Sequence, residues 1–336
     1  METLNILFIG DIHIKLQNLE SVEKMQNKIF SIQNLFCIVI AGDVLNTHEI
    51  IHTQLLNKAY SFIETCLNIA PTYILVGNHD YINNQQFLTD SHWMNGIKKW
   101  QNVTIVDKPV IITSKIGDFL CVPYVPPGRL VEALNTLLFN WEKDVKVIFA
   151  HQEIYGCKMG AISSTLGDVW KEEWPILISG HIHDRQKIGK NVIYPGSSIN
   201  HSYGSNNQGI FIFTFSQNNM EETFVDLNFE NKRVFYLSLN DVNVLEQKLK
   251  KQKSTQKLTT VNISGNANDI KVFKKSKQFN DLIQLACVRF KCTDNKLLKT
   301  EKDSPFWEIL TRSIADCKDP ELEKDFTSVK TQCQHI

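Results

Sequence analysis

The chain has 336 residues with equal numbers of basic and acidic side chains, and it is 43% hydrophobic and 21% charged. This composition is typical of a soluble globular protein with one large or two ordinary domains. No apolar run reaches the roughly 18 residues of a membrane-spanning helix, and the start, METLNILFIGD, lacks the basic region of a signal peptide. We therefore expect neither a membrane protein nor a secreted one, but a cytoplasmic protein, or a nuclear or viral-factory protein if the source is a virus.

Short runs of apolar and β-branched residues predict buried strands in the first 215 residues. The predicted strands are 4–9, 37–40, 72–76, 145–149, 176–178, 192–194 and 210–215. Segments with helical periodicity lie between the early strands, at 19–35, 53–67 and 85–100. Alternating strands and helices predict an α/β fold with mostly buried strands, and the hairpin-like pair 103–112 and 119–125 predicts a mixed sheet.

The texture of the sequence changes after residue 235, where a polar, lysine-rich stretch predicts a connector with one short helix over 236–260. Beyond it, TTVNISG, NDIKVFKKSKQFNDLIQ and ACVRFKC predict strand, helix and strand, and PFWEILTRSIADC predicts a helix in the tail. Residues 1–230 carry 16 Lys and Arg against 23 Asp and Glu, whereas residues 231–336 carry 20 against 13. We expect domains at 1–235 and 261–336. The basic excess of the second part is explained either by solvated lysines or by the binding of a polyanion.

Five of the predicted strands are followed at once by residue types that bind metals. ILFIG leads to Asp11 and His13, CIVIAG to Asp43, YILVG to Asn78, His79 and Asp80, VIFA to His151, and ILISG to His181 and His183. Because the carboxyl ends of strands form the ligand crevice of open α/β sheets, we expect these side chains to converge. Glycine precedes four of the five clusters, which allows the backbone to approach an ion closely.

Each of these motifs alone has a plain structural explanation, since a D-x-H or G-N-H-D segment is often only a turn. Together, at five strand ends, they favour a metal centre. Asp, His and Asn supply oxygen and nitrogen ligands that suit Mn²⁺, Fe²⁺ or Zn²⁺. Seven candidate ligands are too many for one ion with open positions. They predict two divalent ions about 3.5–4 Å apart with a bridging carboxylate, the arrangement used for phosphoester displacement.

The series D-x-H, G-D, G-N-H-D, an isolated His and G-H-x-H resembles the calcineurin-like metallophosphoesterase superfamily over roughly residues 4–215. Within it, the chain is most similar to the DNA double-strand-break nucleases: the SbcD type, the nuclease subunit of the MRN complex, and the small subunit of the T-even phage recombination endonuclease. The finer signals are NVTIVDKPVII and VIYPGSSINHSYGSNNQGIFIFTF. The resemblance implies an α/β mixed-sheet sandwich flanked by helices, with a small α+β C-terminal capping domain.

The resemblance also implies a role for each motif position. Asp11, His13 and His183 would hold the first metal, Asn78, His151 and His181 the second, and Asp43 would bridge them, with Mn²⁺ as the expected ion. His79 would bind no metal, but would stabilise the transition state and protonate the leaving oxygen. Relatives carry Asp or His three residues after the bridging Asp, where this chain has Asn46. Asn46 can orient His79 without supplying charge, so His79 is expected to be a weaker acid–base group unless His48 assists it.

DNA contacts and partners are implied less directly. The lysines of KVFKKSK are candidates for phosphate contacts, and a solvated helix face explains them equally well. These lysines are Lys271, Lys274, Lys275 and Lys277. The resemblance further implies an SbcC-type coiled-coil ATPase that docks on the C-terminal region, and a homodimer formed through the segments 53–67 and 85–100.

Three functions stay open from the sequence. The first is a Mn²⁺-dependent DNA exonuclease and single-strand endonuclease of double-strand-break repair or recombination, working with the ATPase. The second is a phosphodiesterase or phosphatase for small molecules or nucleotides, which would use the same metals without a basic cap or an ATPase. The third is a non-catalytic repair scaffold, against which the complete ligand set argues. The GDxxDRG and GNHE forms of protein Ser/Thr phosphatases do not occur, which argues against a phosphoprotein substrate.

Overall fold

Two compact units make up the chain, Met1–Asn231 and Lys232–Ile336. The computed structural model describes residues 2–48, 50–200, 208–229, 233–251 and 259–293, together with Thr311, Ile314 and Phe326. The predicted tail helix PFWEILTRSIADC lies almost entirely outside these residues. No helix of the described part is long and apolar enough to cross a membrane.

The elements of the first unit follow the predicted order. Its strands are β1 (Leu4–Ile9), β2 (Cys37–Ile40), β3 (Thr72–Leu75), β4 (Val103–Val106), β5 (Val110–Ile112), β6 (Asp118–Cys121), β7 (Val145–His151), β8 (Lys158–Met159), β9 (Ile162–Ser163), β10 (Ile176–Gly180), β11 (Gln186–Ile188), β12 (Val192–Tyr194), β13 (Gly209–Phe215) and β14 (Met220–Asp226). Its α-helices are α1 (Leu19–Phe30), α2 (Thr53–Leu67), α3 (Leu130–Leu134) and α4 (Trp141–Asp144), with 3-10 helices at Leu16–Asn18 and Trp93–Lys99.

Both large sheets of this unit are mixed. The first has the order β14-β13-β1-β2-β3-β4, and the second has the order β11-β12-β10-β7-β6-β5. Strands β1 to β4 run parallel to one another, and β13 joins β1 antiparallel. In the second sheet β6, β7, β10 and β12 are parallel, and β5 and β11 are antiparallel edge strands. The carboxyl ends of the parallel strands in each sheet therefore lie at one edge.

The sheets pack face to face and helices cover their outer faces. Alternate residues of β1 separate the layers, because successive side chains of a strand point to opposite faces. Phe8 packs in the cluster between the sheets, where its ring lies 6.2 Å from that of Phe149 on β7. Leu7 packs with α1 and α2 on the outer face of the first sheet. This arrangement confirms the predicted α/β mixed-sheet sandwich flanked by helices.

The prediction of a helix over 85–100 is wrong. The segment starts as turns, because Oδ1 of Asn83 accepts hydrogen bonds from the backbone N–H of Gln85 and from the side-chain Nε2 of Gln86, and such side-chain bonds compete with a helix. Leu88 adopts a left-handed backbone with φ 46°. Only Trp93–Lys99 is helical, as a 3-10 helix. The helix predicted over 19–35 is shorter as well, and ends at Phe30.

The second unit contains a parallel three-stranded sheet, with the order β15-β16-β17. Its elements are β15 (Arg233–Ser238), a 3-10 helix (Leu239–Asp241), α5 (Val242–Lys251), β16 (Thr259–Gly265), α6 (Ala267–Phe273), α7 (Lys277–Leu285) and β17 (Cys287–Cys292). The stretch predicted as a connector contains the expected short helix, α5, which buries Val242, Leu245 and Leu249 along one face, and also the end of β15. Two helices, not one, join β16 to β17, because the Ser276 hydroxyl starts a new helix by accepting from the Phe279 N–H.

Candidate metal centre

The parallel strands bring the sequence motifs to one edge of the sandwich. Asp11 follows β1, Asp43 follows β2, Asn78 and His79 follow β3, His151 ends β7, and His181 and His183 follow β10. Ligand atoms from this set form groups that lie within 4.8 Å of one another and could hold metal ions. The groups are Asp11–His13–His183, His13–Asp43–His79 and Asp43–His151–His181. Side chains as distant in sequence as His13 and His183, which are 170 residues apart, therefore meet in one place.

Asp43 occupies the centre of the cluster. One of its carboxylate oxygens, Oδ2, lies 3.4 Å from Nε2 of His13 and 3.4 Å from Nε2 of His151. The other oxygen, Oδ1, accepts a hydrogen bond of 2.8 Å from the backbone N–H of His79. A single carboxylate oxygen that faces both imidazoles equally is placed as a bridging ligand would be.

The side chains on either side of Asp43 form two sets. On one side, Oδ1 of Asn78 lies 3.0 Å from Nε2 of His151 and 3.0 Å from Nδ1 of His181. On the other side, Nε2 of His13 lies 3.1 Å from Nε2 of His183. His181 and His183 thus belong to different sets, and the intervening Ile182 is buried with the apolar cluster of the second sheet. The structure brings together all seven residues that the sequence marks as candidate ligands.

The backbone of this cluster is unusual. Seven non-glycine residues of the described part have positive φ, and three of them are His13, Asp43 and His181, at 44°, 50° and 77°. A left-handed backbone is uncommon outside glycine, and it concentrates at functional sites, where surrounding contacts hold it in place. The backbone at the strand exits therefore directs these three side chains differently from the way an extended backbone would.

Two glycines make the close approach of these segments feasible. A Cβ atom on Gly42 would lie 2.7 Å from Nδ1 of His151, and one on Gly77 would lie 2.2 Å from Oδ1 of Asp43. Neither distance is tolerable for a carbon atom. The predicted reason for glycine at these strand ends, close backbone approach, thus agrees with the geometry.

Comparison with known proteins agrees with this arrangement. The family model described as "Calcineurin-like phosphoesterase" matches residues 4–185. The chain belongs to this family. The chain is 44% identical over 284 residues to "Putative phosphoesterase 244L" of Invertebrate iridescent virus 6, and this alignment covers 82% of this chain and 99% of the relative. It is 39% identical over 330 residues to "Putative phosphoesterase 078R" of Invertebrate iridescent virus 3, which covers 95% and 94%.

Structural similarity has also been detected to GAP50, the anchor in the inner membrane complex of Plasmodium. That match has a TM-score of 0.42 and 16% sequence identity, and it covers 67% of this chain and 85% of the other.

The donor set of this calcineurin-like phosphoesterase fits divalent cations. Nδ1 of His151 donates to the Ala41 carbonyl at 2.6 Å, which leaves Nε2 as the atom that could bind a metal and orients the ring, as carbonyl partners do for metal-bound histidines. Nε2 then faces two oxygen acceptors, Oδ1 of Asn78 and Oδ2 of Asp43. Donor atoms that face one another in this way are favoured by a cation bound between them.

The pKa values of these groups follow from burial and from the mixture of charges. Burial would raise the pKa of the Asp43 carboxyl, but His151 and His13 outweigh it and hold the pKa well below its usual range. Burial would lower the pKa of His151, but Asp43 and Asp11 raise it to about 9. Burial, and then His151, lower the pKa of His181 to about 4. His181 is thus a neutral donor at neutral pH, whereas cation binding at His151 entails loss of a proton.

His79 lies beside this cluster and lines the same cavity. Its Nδ1 donates to the main-chain carbonyl of Asn46 at 3.0 Å. Its ring packs edge-on to that of His13, with 4.8 Å between centroids, and stacks on that of His48, also at 4.8 Å and with 13° between planes. The partner of His79 is therefore the backbone of Asn46 and not its side chain, so the residue type at position 46 matters less than the sequence suggested.

Asp80 is a buried residue whose role the sequence did not single out. Its carboxylate accepts hydrogen bonds from the backbone N–H groups of Val44, Leu45 and Gly77 and from Nε1 of Trp93. Burial, and then the charge of Asp43, raise the pKa of Asp80 to about 7. Asp80 ties the strand exit that carries Asp43 to the one that carries Asn78 and His79. The sequence signal that could have identified Asp80 is its position as the last residue of the G-N-H-D motif.

An open cavity of about 370 Å³ lies over the cluster. On the side of the strand exits it is lined by His13, Asp43, Asn78, His79 and the segment His181–Asp184, and on the other side by Lys158, Met159 and Gly160 of the β8–β9 hairpin. Sequence reasoning missed this hairpin, because two-residue strands carry no usable periodicity. The predicted DNA-contacting lysines lie in the second unit, where Lys271, Lys274, Lys275 and Lys277 are exposed on α6, α7 and the turn between them.

Proposed function

We propose that this calcineurin-like phosphoesterase is a two-metal phosphodiesterase that cleaves DNA, as an exonuclease and single-strand endonuclease in double-strand-break repair or recombination. The observation that carries the two-metal proposal is the position of Asp43 Oδ2, 3.4 Å from Nε2 of His13 and of His151. We assign the first metal to Asp11, His13 and His183, the second to Asn78, His151 and His181, and the bridge to Asp43.

Divalent ions in such a centre supply charge stabilisation to both the attacking and the leaving oxygen of the phosphoester. Mn²⁺ is the proposed ion on the resemblance to the nucleases, and the mixed imidazole and carboxylate donors suit it as they suit Fe²⁺ and Zn²⁺. The protein positions the donors through strained strand exits, and His79 stabilises the transition state and protonates the leaving oxygen. The bond from Nδ1 of His79 to the Asn46 carbonyl fixes the ring and reserves Nε2 for the substrate.

DNA as the substrate rests on the nuclease-like sequence segments and on the distribution of charge. The C-terminal residues 231–336 carry 20 basic against 13 acidic side chains, and an excess of basic side chains in a chain with a phosphodiesterase site suits a polyanion. Lys271, Lys275 and Lys277 are exposed, and Lys274 Nζ lies 4.7 Å from the centroid of the Phe290 ring. We propose these four lysines as phosphate contacts.

The test is hydrolysis by the purified full chain with Mn²⁺. Bis-p-nitrophenyl phosphate reports on the metal site alone, and linear single-stranded and duplex DNA with free or blocked ends report on nuclease activity. We expect hydrolysis of all but the blocked duplex, and no hydrolysis after chelation. Hydrolysis of the small diester with both DNAs left intact would retain the phosphodiesterase and contradict the nuclease.

We further propose an SbcC-type ATPase partner on the C-terminal unit and a homodimer. Of the two segments predicted to form the dimer contact, α2 is a helix, while 85–100 is not a continuous one. Trp93 of that second segment is half-buried, because it packs against Tyr60 of α2 and donates to Asp80. Sedimentation velocity of the full chain, alone and with the ATPase, tests both proposals. A monomer that does not bind the ATPase contradicts them.

A further inference from the structure

The β8–β9 hairpin places a cation and an apolar side chain at the rim of the cavity. Lys158, Met159 and Gly160 line the cavity, together with His79, His183 and other residues of the metal centre. Met159 is 40% exposed. Lys158 is the one lysine or arginine among the described residues that line the cavity. The hairpin therefore brings positive charge to a rim otherwise lined by histidines, carboxylates and uncharged residues.

Several hydrogen bonds hold this hairpin in place. The Gln186 side chain on β11 accepts from the Lys158 N–H at 2.8 Å and donates to the Lys158 carbonyl at 2.9 Å. At the base of the hairpin, the backbones of Cys157 and Ser164 are joined by a bond of 2.8 Å, and the Cys157 side chain is buried in the apolar cluster of the second sheet. Gln186 lies three residues after His183, so the hairpin is attached to the strand exit that supplies a candidate ligand.

The ammonium group of Lys158 is available for a ligand. Nearby lysines are engaged with carboxylates, since Lys187 pairs with Glu222 at 3.3 Å and Lys190 pairs with Glu172 at 2.8 Å. Within the described residues, no carboxylate pairs with Lys158. An unpaired cation over a cavity that holds Asp43 suits an anionic substrate, because a charge-assisted bond to phosphate is stronger than a neutral one.

We propose that the β8–β9 hairpin recognises the substrate on either side of the reacting group. Lys158 binds the phosphate next to the scissile one, and Met159 packs against the adjoining base or sugar. This inference rests on the proposed action on DNA and gives it a specific requirement: the preferred substrate carries at least two consecutive phosphodiester groups. A small diester with a single phosphate leaves the hairpin without a ligand.

The test compares Lys158→Ala with wild type on two substrates. We expect kcat/KM for a single-stranded 12-mer to fall roughly tenfold, as for loss of one charged hydrogen bond, and to fall at least fivefold more than kcat/KM for bis-p-nitrophenyl phosphate. Lys190→Ala is the matched control, because it removes a lysine from the neighbouring β11–β12 turn that does not line the cavity. Met159→Ala and Ile162→Ala form a second matched pair, of which only Met159 lines the cavity.

A binding measurement supplies a second readout. Fluorescence anisotropy of the labelled 12-mer, measured in the His79→Asn background from 50 to 200 mM NaCl, gives the salt dependence of the affinity. Loss of one phosphate contact on a single strand should reduce the slope of log K against log salt by about 0.7, and Lys190→Ala should leave the slope unchanged.

The outcomes separate this inference from the proposed function. A wild-type protein that hydrolyses the small diester but neither binds nor cleaves the 12-mer contradicts both. A wild-type protein that cleaves the 12-mer, with a Lys158→Ala variant whose two kcat/KM values fall equally or whose salt slope is unchanged, contradicts only the role of the hairpin.

Discussion

The two large sheets of the first unit supply different chemistry to the same cavity. The first sheet delivers both carboxylates, Asp11 and Asp43, from the exits of β1 and β2. The second sheet delivers imidazoles only, His151, His181 and His183, from β7 and β10. Each half of the ligand cluster contains donors from both sheets. The carboxylates of the candidate ligand cluster thus come from one sheet, and each proposed metal site is complete only when the two sheets pack together.

The strongest test of this division removes the carboxylate that both halves share. Asp43→Asn keeps the shape and an acceptor for the His79 N–H, but it removes the charge. We expect kcat on bis-p-nitrophenyl phosphate to fall at least about a thousandfold, because charge stabilisation by the metal centre is lost. Metal content measured by mass spectrometry should fall as well. Asp118→Asn, at the far end of β6, is the control, and an active Asp43→Asn enzyme with full metal content contradicts the bridging role.

The next test separates catalysis from metal binding within the first sheet. His79→Asn should lower kcat by roughly a hundredfold to ten-thousandfold, the range for loss of a general acid. The variant should keep the wild-type metal content, because Asp43 and His13 remain. Parallel kinetics and metal analysis check this, and loss of metal in step with activity shows instead that His79 is a ligand.

Two imidazoles of the second sheet should differ in their effect on stability. His151 is fully buried and bonded to the Ala41 carbonyl, whereas His183 is exposed. His151→Ala should lower the free energy of unfolding of the metal-free protein by about 2 kcal/mol, since it removes a buried side chain and leaves a carbonyl without its donor. His183→Ala should change it by less than about 0.5 kcal/mol. Urea unfolding in EDTA measures the free energy of unfolding of both variants. Equal decreases would contradict the placement of His151 in the interior and of His183 at the rim.

The smallest expected effect concerns the pair that adjoins His79. Asn46→Ala should change kcat less than about twofold, because the main-chain carbonyl and not the side chain receives the Nδ1 proton. His48→Ala should lower kcat by up to roughly tenfold, since it removes the ring stacked on His79 and such contacts contribute about 0.5–1.5 kcal/mol. A large loss in Asn46→Ala alone would favour the side-chain role suggested by sequence.

Much of the fold and of the cluster could be predicted because the signals are local. Buried β-branched runs mark strands, and β1, β2 and β12 have the predicted bounds. Polar residues directly after such runs mark one edge of a sheet. The sequence could not assign strands to two different sheets, because apolar strands of either sheet look alike. It also failed at 85–100, where side-chain hydrogen bonds of Asn83 override helical periodicity, and at Lys158, which becomes relevant only through the tertiary position of its hairpin.

The pairing of β1 has a consequence for shortened chains. All seven candidate ligands precede residue 184, yet one side of β1 is closed by β13, with Leu4 opposite Phe215 and Phe8 opposite Phe211. A chain that ends at residue 185 would keep every candidate ligand. It would leave that side of β1 as an unpaired sheet edge with exposed apolar side chains. Exposed edges of this kind recruit other chains. The chemistry of the site and the solubility of the molecule are therefore encoded in different stretches, and a minimal catalytic fragment is expected to aggregate.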